Sequence, residues 1–480
     1  MTTTIALEPA SGEPVHRQIY EAWRRGILSG RFASGHRLPS TRELAAMLAV
    51  SRGTVTQAYE QLLSEGYLQA SQGSGTFVCR ELPERALRAD AGAGRRPKTT
   101  RGVQLSRYGA GLLEDYPRYS ADAGHVCFAQ WGPDREGFPW SVWRRIVSRH
   151  SRGASEELFD YSEEVQGHLP LREEIAAYVA RSRAVHCTPH HVIIVNGSQQ
   201  GLDLCSRLLF ERGDTVAVEN PGYPGALRTF AAYGAALQPV PIDHEGILCR
   251  HLDGDARVVY VTPSHQYPTG VSMSLNRRLE LIAWARKRAS VIIEDDYDSE
   301  YRYSGAPLPA LQGLAEEVPV IYCGTFSKVM FPGLRVGYLI VPEPLIKAFT
   351  RAKRLADNFT PLLPQIALRS FIAEGHLERH IRRMRRLYGS RREALLEALQ
   401  KHFGDDAAVA GEDAGMHAFV RLADKGLLDR AKRNKVQLRT AQPCYLEGEH
   451  RHRYLFGFSS LTEREIREGI QRLARYATGA

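Results

Sequence analysis

Residues 320–328, Val320-Ile321-Tyr322-Cys323-Gly324-Thr325-Phe326-Ser327-Lys328, run from an apolar stretch into a turn of hydroxyl residues that ends on a lysine. The apolar part is short and stops at a glycine, so it predicts a buried strand over 320–323. Similar runs stand at His191 to Val195, Thr215 to Glu219, Val258 to Thr262, Val291 to Glu294 and Gly337 to Val341, with amphipathic helical stretches between them. That alternation predicts a mostly parallel sheet covered by helices. Toward the C-terminus, Ala418 to Leu422 and Tyr454 to Phe458 alternate as strands of a smaller α+β lobe.

In open α/β sheets ligands bind beyond the carboxyl ends of the strands, which directs attention to the loops. Asp295, Asp296 and Tyr297 follow one strand, and Gly324 to Lys328 follow another, with Arg335 beyond. A lysine at a strand end among hydroxyls and an arginine is a candidate Schiff-base residue beside a phosphate site. Asn196 to Leu202 places amides and a hydroxyl at a helix N-terminus, where a phosphate is held. Asn220-Pro221-Gly222-Tyr223-Pro224 offers an aromatic face at a further strand end.

The front of the chain has a different grammar. Pro14 opens a helix through Ile19, Trp23 and Ile27 that Gly30 ends. Ser40-Thr41-Arg42-Glu43 is a capping box for a short helix through Leu44 and Leu48, and Val50 is expected to turn. Ser51 then caps a helix through Val55, Tyr59 and Leu62, with Gly66 as its left-handed stop. Tyr67 to Ala70 and Thr76 to Val78, flanking Gln72-Gly73-Ser74-Gly75, predict a two-stranded wing. From Cys79 to about Gly124 the pattern loses its period and fills with Arg, Ala, Gly and Pro, as in a flexible linker.

The chain has 480 residues, 43% of them hydrophobic, which excludes disorder and a small disulfide scaffold. Its opening MTTTIALEPA has neither a basic nor an apolar leader segment, and no run approaches a membrane span, so a cytoplasmic protein without membrane contact is expected. The seven cysteines are scattered with no C-x-x-C pair, so they read as reduced packing residues and no metal is expected. The net charge is +9, yet residues 1–78 hold seven Arg against six Glu, so charge alone does not establish DNA binding.

The motifs LPSTRELA, VSRGTVTQAYEQLLSEGYL and GSGTFV resemble the winged helix-turn-helix of the GntR family of bacterial regulators. That resemblance implies a DNA-binding domain over residues 12–79, with Arg42, Ser51, Arg52, Thr54, Thr56, Gln72 and Gly73 at the duplex. The strand-end motifs, taken in order, resemble fold-type I pyridoxal-phosphate enzymes of the aspartate aminotransferase class. They imply an α/β domain over residues 125–480, joined by the linker 80–124. By this resemblance Lys328 carries the cofactor and is the catalytic residue, and Asp295 pairs with the pyridine nitrogen. Tyr297 meets the ring's phenolic oxygen, and Tyr223 stacks on the ring. Ser198, Gln199, Thr325, Ser327 and Arg335 hold the phosphate. Tyr161 matches a tyrosine that crosses a dimer interface to the neighbouring phosphate, which implies a homodimer; a core tyrosine is the alternative.

Two places depart from the enzyme pattern. TPSHQYPTG puts Tyr267 where the enzymes have asparagine, which leaves open whether His265 or Gln266 touches the cofactor. Leu455 stands where an arginine usually grips the substrate carboxylate, so Arg453, Arg451 or Arg439 are the candidates to bind an effector. The arginine-rich helix from Arg379 to Arg392 reads as a solvated face.

The combination of a GntR-type reader with an aminotransferase-like domain resembles the MocR subfamily of transcriptional regulators. It implies a regulator of an operator in double-stranded DNA that senses pyridoxal phosphate or a small amino compound through a Schiff base at Lys328. The alternative is a working aminotransferase carrying an accessory DNA-binding domain.

Overall fold

The computed structural model describes residues 12–71, 74–80, 103–113, 122–152, 160–305, 308–411, 414–424 and 426–475, with Leu7, Leu82 and Leu158. The chain divides into two compact units, Met1–Val103 and Gln104–Ala480.

The first unit is three helices and a hairpin. Helix α1 (Val15–Leu28) starts immediately after Pro14, whose ring pre-sets the backbone for a helical first turn. Helix α2 (Thr41–Leu48) carries the expected capping box: the Glu43 amide donates to Ser40 Oγ at 3.2 Å and the Ser40 amide to Glu43 Oε2 at 2.8 Å. The turn after α2 is made by Ala49, in the left-handed conformation at φ 53, one residue before the expected Val50. Ser51 caps helix α3 (Arg52–Ser64). Strands β1 (Leu68–Ser71) and β2 (Gly75–Val78) pair antiparallel with Leu68 opposite Val78. Ile19, Trp23, Leu44, Val55 and Leu62 are wholly buried and form one small core. Gln72 and Gly73, at the expected wing tip, lie outside the described residues.

In the second unit β3 (Val126–Cys127) comes first in the chain. The main sheet follows, from β4 (Val192–Val195), β5 (Thr215–Asn220), β6 (Ala236–Asp243) and β7 (Gly246–Ile247) to β8 (Val258–Val261), β9 (Val291–Asp296), β10 (Val320–Thr325) and β11 (Gly337–Ile340). Its order is β4-β11-β10-β9-β8-β5-β6-β7. Strands β10, β9, β8, β5 and β6 run parallel, while β11 is antiparallel to both its neighbours. Neighbouring residues of β9 fall into different apolar clusters, Ile293 with Leu202, Phe230 and Phe349, Ile292 with Val240, Leu281 and Val320. Helices therefore cover both faces, as a near-continuous apolar strand requires. Strand β6 escaped the sequence reading because Pro239 and Pro241 interrupt it. Only its last two residues pair with an outer strand, so two missing donors cost little there.

The smaller lobe is an antiparallel sheet of β12 (Ala407–Ala410), β13 (His417–Leu422), β15 (Arg439–Thr440) and β16 (Arg453–Gly457), ordered β12-β13-β16-β15. The short β14 (Val436–Gln437) pairs with β3. The arginine-rich helix His376–Phe403 is not merely a solvated face. Arg391 is buried and pairs with Asp134 at 2.7 Å, and Arg385 donates to the Glu300 carbonyl at 2.8 and 3.0 Å. Much of the stretch expected as a linker lies outside the described residues. Its described part includes a helix, Arg107–Gly111, whose Tyr108 ring lies 5.1 Å from that of Tyr233 in the same unit. Among the described residues no helix is long and apolar enough to cross a membrane.

Because Ser40 answers an otherwise orphaned amide, Ser40→Ala is expected to lower the opening free energy of α2 by about 1 kcal/mol. Hydrogen exchange reads this as faster exchange over residues 41–48, with exchange in the sheet of the second unit unchanged.

Candidate functional site

The carboxyl ends of β5, β8, β9 and β10 open into a cavity of about 1410 Å³. The parallel register sets Cys323 level with Asp295, so the acidic end of β9 and the turn leading to Lys328 reach the same wall.

Asp295 is the decisive group. It is 4% exposed; Oδ2 accepts a hydrogen bond from Tyr260 at 2.8 Å, and Oδ1 is buried with no partner. Burial pushes its carboxyl up to about 7; the Tyr260 bond opposes this, and Asp296 and Asp298 add to it. A buried acid with an idle oxygen facing a cavity calls for a cationic donor. Glu219 is likewise pushed up to about 7 by burial, against donors from Thr262 and Gln266.

Lys328 donates to the Trp131 carbonyl at 3.3 Å. Burial lowers its pKa, Asp298 opposes the shift and Arg439 adds to it. The amine is thereby moved toward its neutral, nucleophilic form. The Tyr297 hydroxyl lies 3.0 Å from His265 Nδ1, which also lies 2.9 Å from Asp298 Oδ1. His265 is buried behind Tyr297 and is not part of the cavity wall, contrary to a direct contact with a ligand there. Tyr223 and Tyr267 meet edge to face at 5.4 Å and 78°, and the Tyr267 ring also lies 6.0 Å from that of Tyr297.

At the far end Gly197, at φ 90, precedes the helix Ser198–Leu209 and turns its first amides outward. The positive φ of Gly197 favours glycine, and a Cβ there would also stand 3.1 Å from the Arg335 guanidinium. Arg335 donates to the Asn196 carbonyl at 2.5 Å, and the Ser327 amide donates to Thr325 Oγ1 at 3.2 Å. Gln199 lines the same end, but its side-chain amide is committed to Thr229 at 2.5 Å, which leaves its backbone N–H for an anion.

The arginine candidates separate. Arg439 lines the cavity, 5.2 Å over the Trp131 ring, and sits directly opposite Leu455 across β15 and β16. Arg453 does not line it: it lies 5.6 Å over the Tyr445 ring and 2.8 Å from His450. Arg451 is paired with Glu449 at the surface. Tyr161 is 78% exposed with its ring 6.2 Å from Phe359, which excludes the core alternative and keeps it out of this chain's own cavity. Trp131 and Asp298 were not singled out from sequence; the run Asp295-Asp296-Tyr297-Asp298 is the one signal that marked the latter.

In the first unit Arg42 and Arg52 are exposed around the start of α3, and Arg52 Nε donates to Thr41 Oγ1 at 3.3 Å. The Ser51 hydroxyl accepts the Thr54 amide at 3.1 Å, and the Thr56 hydroxyl donates to the Arg52 carbonyl at 3.0 Å. Those two hydroxyls thus serve their own helix first, and free side-chain reach belongs to the arginines. Arg37, missed from sequence, lies along the wing beside Gly75.

Comparison with known proteins places both units. Residues 138–473 match the family described as aminotransferase class I and II, and residues 15–78 the family of bacterial regulatory proteins described as gntR. The chain is 37% identical over 477 residues to the probable rhizopine catabolism regulatory protein MocR of Rhizobium meliloti, covering 98% of this chain and 95% of that protein. It is 34% identical to the HTH-type pyridoxine biosynthesis transcriptional regulator PdxR of Corynebacterium glutamicum, with 88% and 86% covered. Among solved structures, the Thermus thermophilus α-aminoadipate aminotransferase LysN, complexed with N-(5'-phosphopyridoxyl)-L-leucine, is 30% identical with a TM-score of 0.68, covering 78% of this chain and 94% of that one.

The raised Asp295 acid has a consequence for unliganded protein. Its folded value, about 7, lies above its ordinary 3.8, so its favourable contribution is full below 3.8 and lost as pH rises toward 7. Asp295→Asn is expected to unfold at a higher temperature than the unliganded parent above neutral pH, with the difference vanishing in acid. Thermal unfolding across that range checks it; Asp295 also adds to the upward shift of Glu219, so the substitution relieves that group in the same direction.

Proposed function

The chain belongs to the aminotransferase class I and II family and bears a gntR-type helix-turn-helix at its front, and from that premise we propose that it is a DNA-binding transcriptional regulator governed by the occupancy of its aminotransferase-like cavity. The observation that carries the reading is the presence, in one chain, of Asp295 with one unanswered oxygen and Lys328 in a single cavity, together with the exposed Arg42 and Arg52 in the first turns of α2 and α3.

Pyridoxal phosphate is the cofactor of this fold, and the residues fit it. The idle Asp295 oxygen suits a protonated ring nitrogen, and the Gly197 cradle with Arg335 suits a phosphate. When bound, the cofactor supplies an aldehyde that amines attack and a ring that draws electrons from them. Lys328 offers the neutral amine that anchors it. Asp295 holds a proton at the ring nitrogen, which fixes the ring's charge. Tyr297, braced by His265 and Asp298, holds a hydrogen bond at the phenolic oxygen, and Tyr223 bounds the ring. Ser198, the Gln199 amide, Thr325, Ser327 and Arg335 receive the phosphate. The exposed Tyr161 is the group this subunit lends to its neighbour in a homodimer, which also suits a reader of paired half-sites.

The effector is pyridoxal phosphate itself or a small amine that displaces Lys328 from it. For an amine bearing a carboxylate, Arg439 is the reader: it occupies the position opposite Leu455, so the guanidinium lost from one strand is returned by the next. Either ligand acts only through its difference in affinity between two dimer states, typically 1–3 kcal/mol of coupling. Regulation of this kind places the protein in the cytoplasm with its operator. A working aminotransferase is the second reading, favoured by the intact Lys328, Asp295 and Tyr297 and opposed by Leu455.

The test is a DNA-binding assay on the regions upstream of its own and adjacent genes, with and without pyridoxal phosphate and candidate amines. A footprint whose affinity changes with the cofactor is expected. No footprint under any condition, with steady keto-acid production that survives deletion of residues 1–78, would overturn the proposal in favour of the enzyme. On the same operator Arg52→Ala should cost about 1–3 kcal/mol if the arginine reads a base, and a uniform, salt-sensitive loss if it meets phosphate. Unchanged affinity would reassign the recognition surface.

A further inference from the structure

Near the phosphate end of the cavity, the helix Ile346–Asp357 ends on a buried ion pair that none of the roles above uses. Lys353 is wholly buried. A buried ammonium is costly unless its charge and every N–H are answered. Here Nζ donates to both oxygens of Asp357, each at 2.9 Å, and to Thr360 Oγ1 at 3.0 Å. Burial depresses the lysine, and Asp357 opposes that.

Asp357 has further donors, and they identify what the pair is for. Its Oδ2 accepts from Asn196 Nδ2 at 2.6 Å and from Gln200 Nε2 at 2.8 Å. These two residues bracket the Gly197–Ser198 turn. They are also tied to each other, the Asn196 amide donating to Gln200 Oε1 at 2.7 Å. The Asn196 carbonyl, on the other side of the same residue, receives Arg335. One carboxylate therefore pins the peptide that sets both the first amides of the helix Ser198–Leu209 and the guanidinium facing them. An asparagine at 357 has a single acceptor oxygen and cannot serve all four of these hydrogen bonds. An apolar filling of the same space would avoid the cost of a buried charge but would make none of these hydrogen bonds.

We propose that Asp357, clamped by Lys353, is a positioning residue for recognition of a phosphate monoester: it holds the Asn196–Gly197–Ser198 turn and Arg335 in the arrangement that receives the phosphate of the cofactor. The proposal rests on the cofactor assignment above. It predicts a defect specific to the phosphate, since Asp357 has no contact with the groups assigned to the ring.

Full-length protein is titrated with pyridoxal phosphate and, separately, with pyridoxal, which has the same ring and aldehyde but no phosphate; binding is read from the absorbance of the ring. Asp357→Asn is expected to weaken pyridoxal phosphate on the order of tenfold while leaving pyridoxal unchanged. Asn196→Ala, which keeps the Lys353–Asp357 pair and the Asn196 carbonyl, should show a smaller loss of the same kind, and should add little in the Asp357→Asn background because both act through one contact. Retention of the parent's preference for the phosphorylated ligand in both variants overturns the proposal, whether both affinities fall together or neither falls. Where Asp357→Asn yields no folded protein, Asn196→Ala alone decides by the same ratio. A parent protein that does not favour pyridoxal phosphate over pyridoxal overturns the phosphate site itself, which is the earlier assignment and not this one.

Discussion

An acid sealed at the end of β9 with one oxygen unanswered is the constraint around which the large unit is arranged. Folding therefore leaves an electrostatic demand that a proton, or a cationic donor in the cavity, meets. The parallel pairing of β9 with β10 brings Lys328 to the same wall, and β8 supplies Tyr260 beneath the acid. Glu219 on β5 is held in the same condition, so two carboxyl groups titrate near neutrality at this end of the sheet. The site is organised in advance for positive charge.

The second theme is a division between what the site keeps and what it changes. Lys328, Asp295, Tyr297 and Tyr223 line the cavity in the enzyme pattern, whereas Tyr267 and Leu455 stand where that pattern has an asparagine and an arginine. Tyr267 sets an aromatic ring where the enzyme pattern has an amide, and opposite Leu455 on the adjacent strand Arg439 lines the cavity. A cavity that keeps Lys328 and Asp295 while departing from the enzyme pattern at these two places suits detection better than turnover. The helix-turn-helix in the same chain gives that detection an output.

Much of this was legible in the residues. Apolar runs of four to six residues marked the strands β4, β5, β8, β9, β10 and β11, because a strand buried on both faces leaves a continuous apolar signature. The polar residues just after those strands then identified Asp295, Tyr297 and Lys328. What stayed hidden depended on register and burial. Nothing local distinguishes Arg439 from Arg453, since the choice turns on which strand lies opposite Leu455. Lys353 and Asp357, four apart, look like an ordinary surface pair until packing buries the lysine completely. Ser51 and Thr56 read as duplex contacts, yet their hydroxyls answer backbone groups of their own helix. The prolines of β6 erased a strand whose place beside the sheet edge tolerates them.

The measurement closest to the heart of the account is chemical. Purified protein is mixed with pyridoxal phosphate, reduced with borohydride, digested and mapped by mass. A yellow protein with one reduced pyridoxyl adduct, located on Lys328 and lost in Lys328→Ala, is the predicted result. A protein that stays colourless, or adducts scattered over surface lysines, would contradict it.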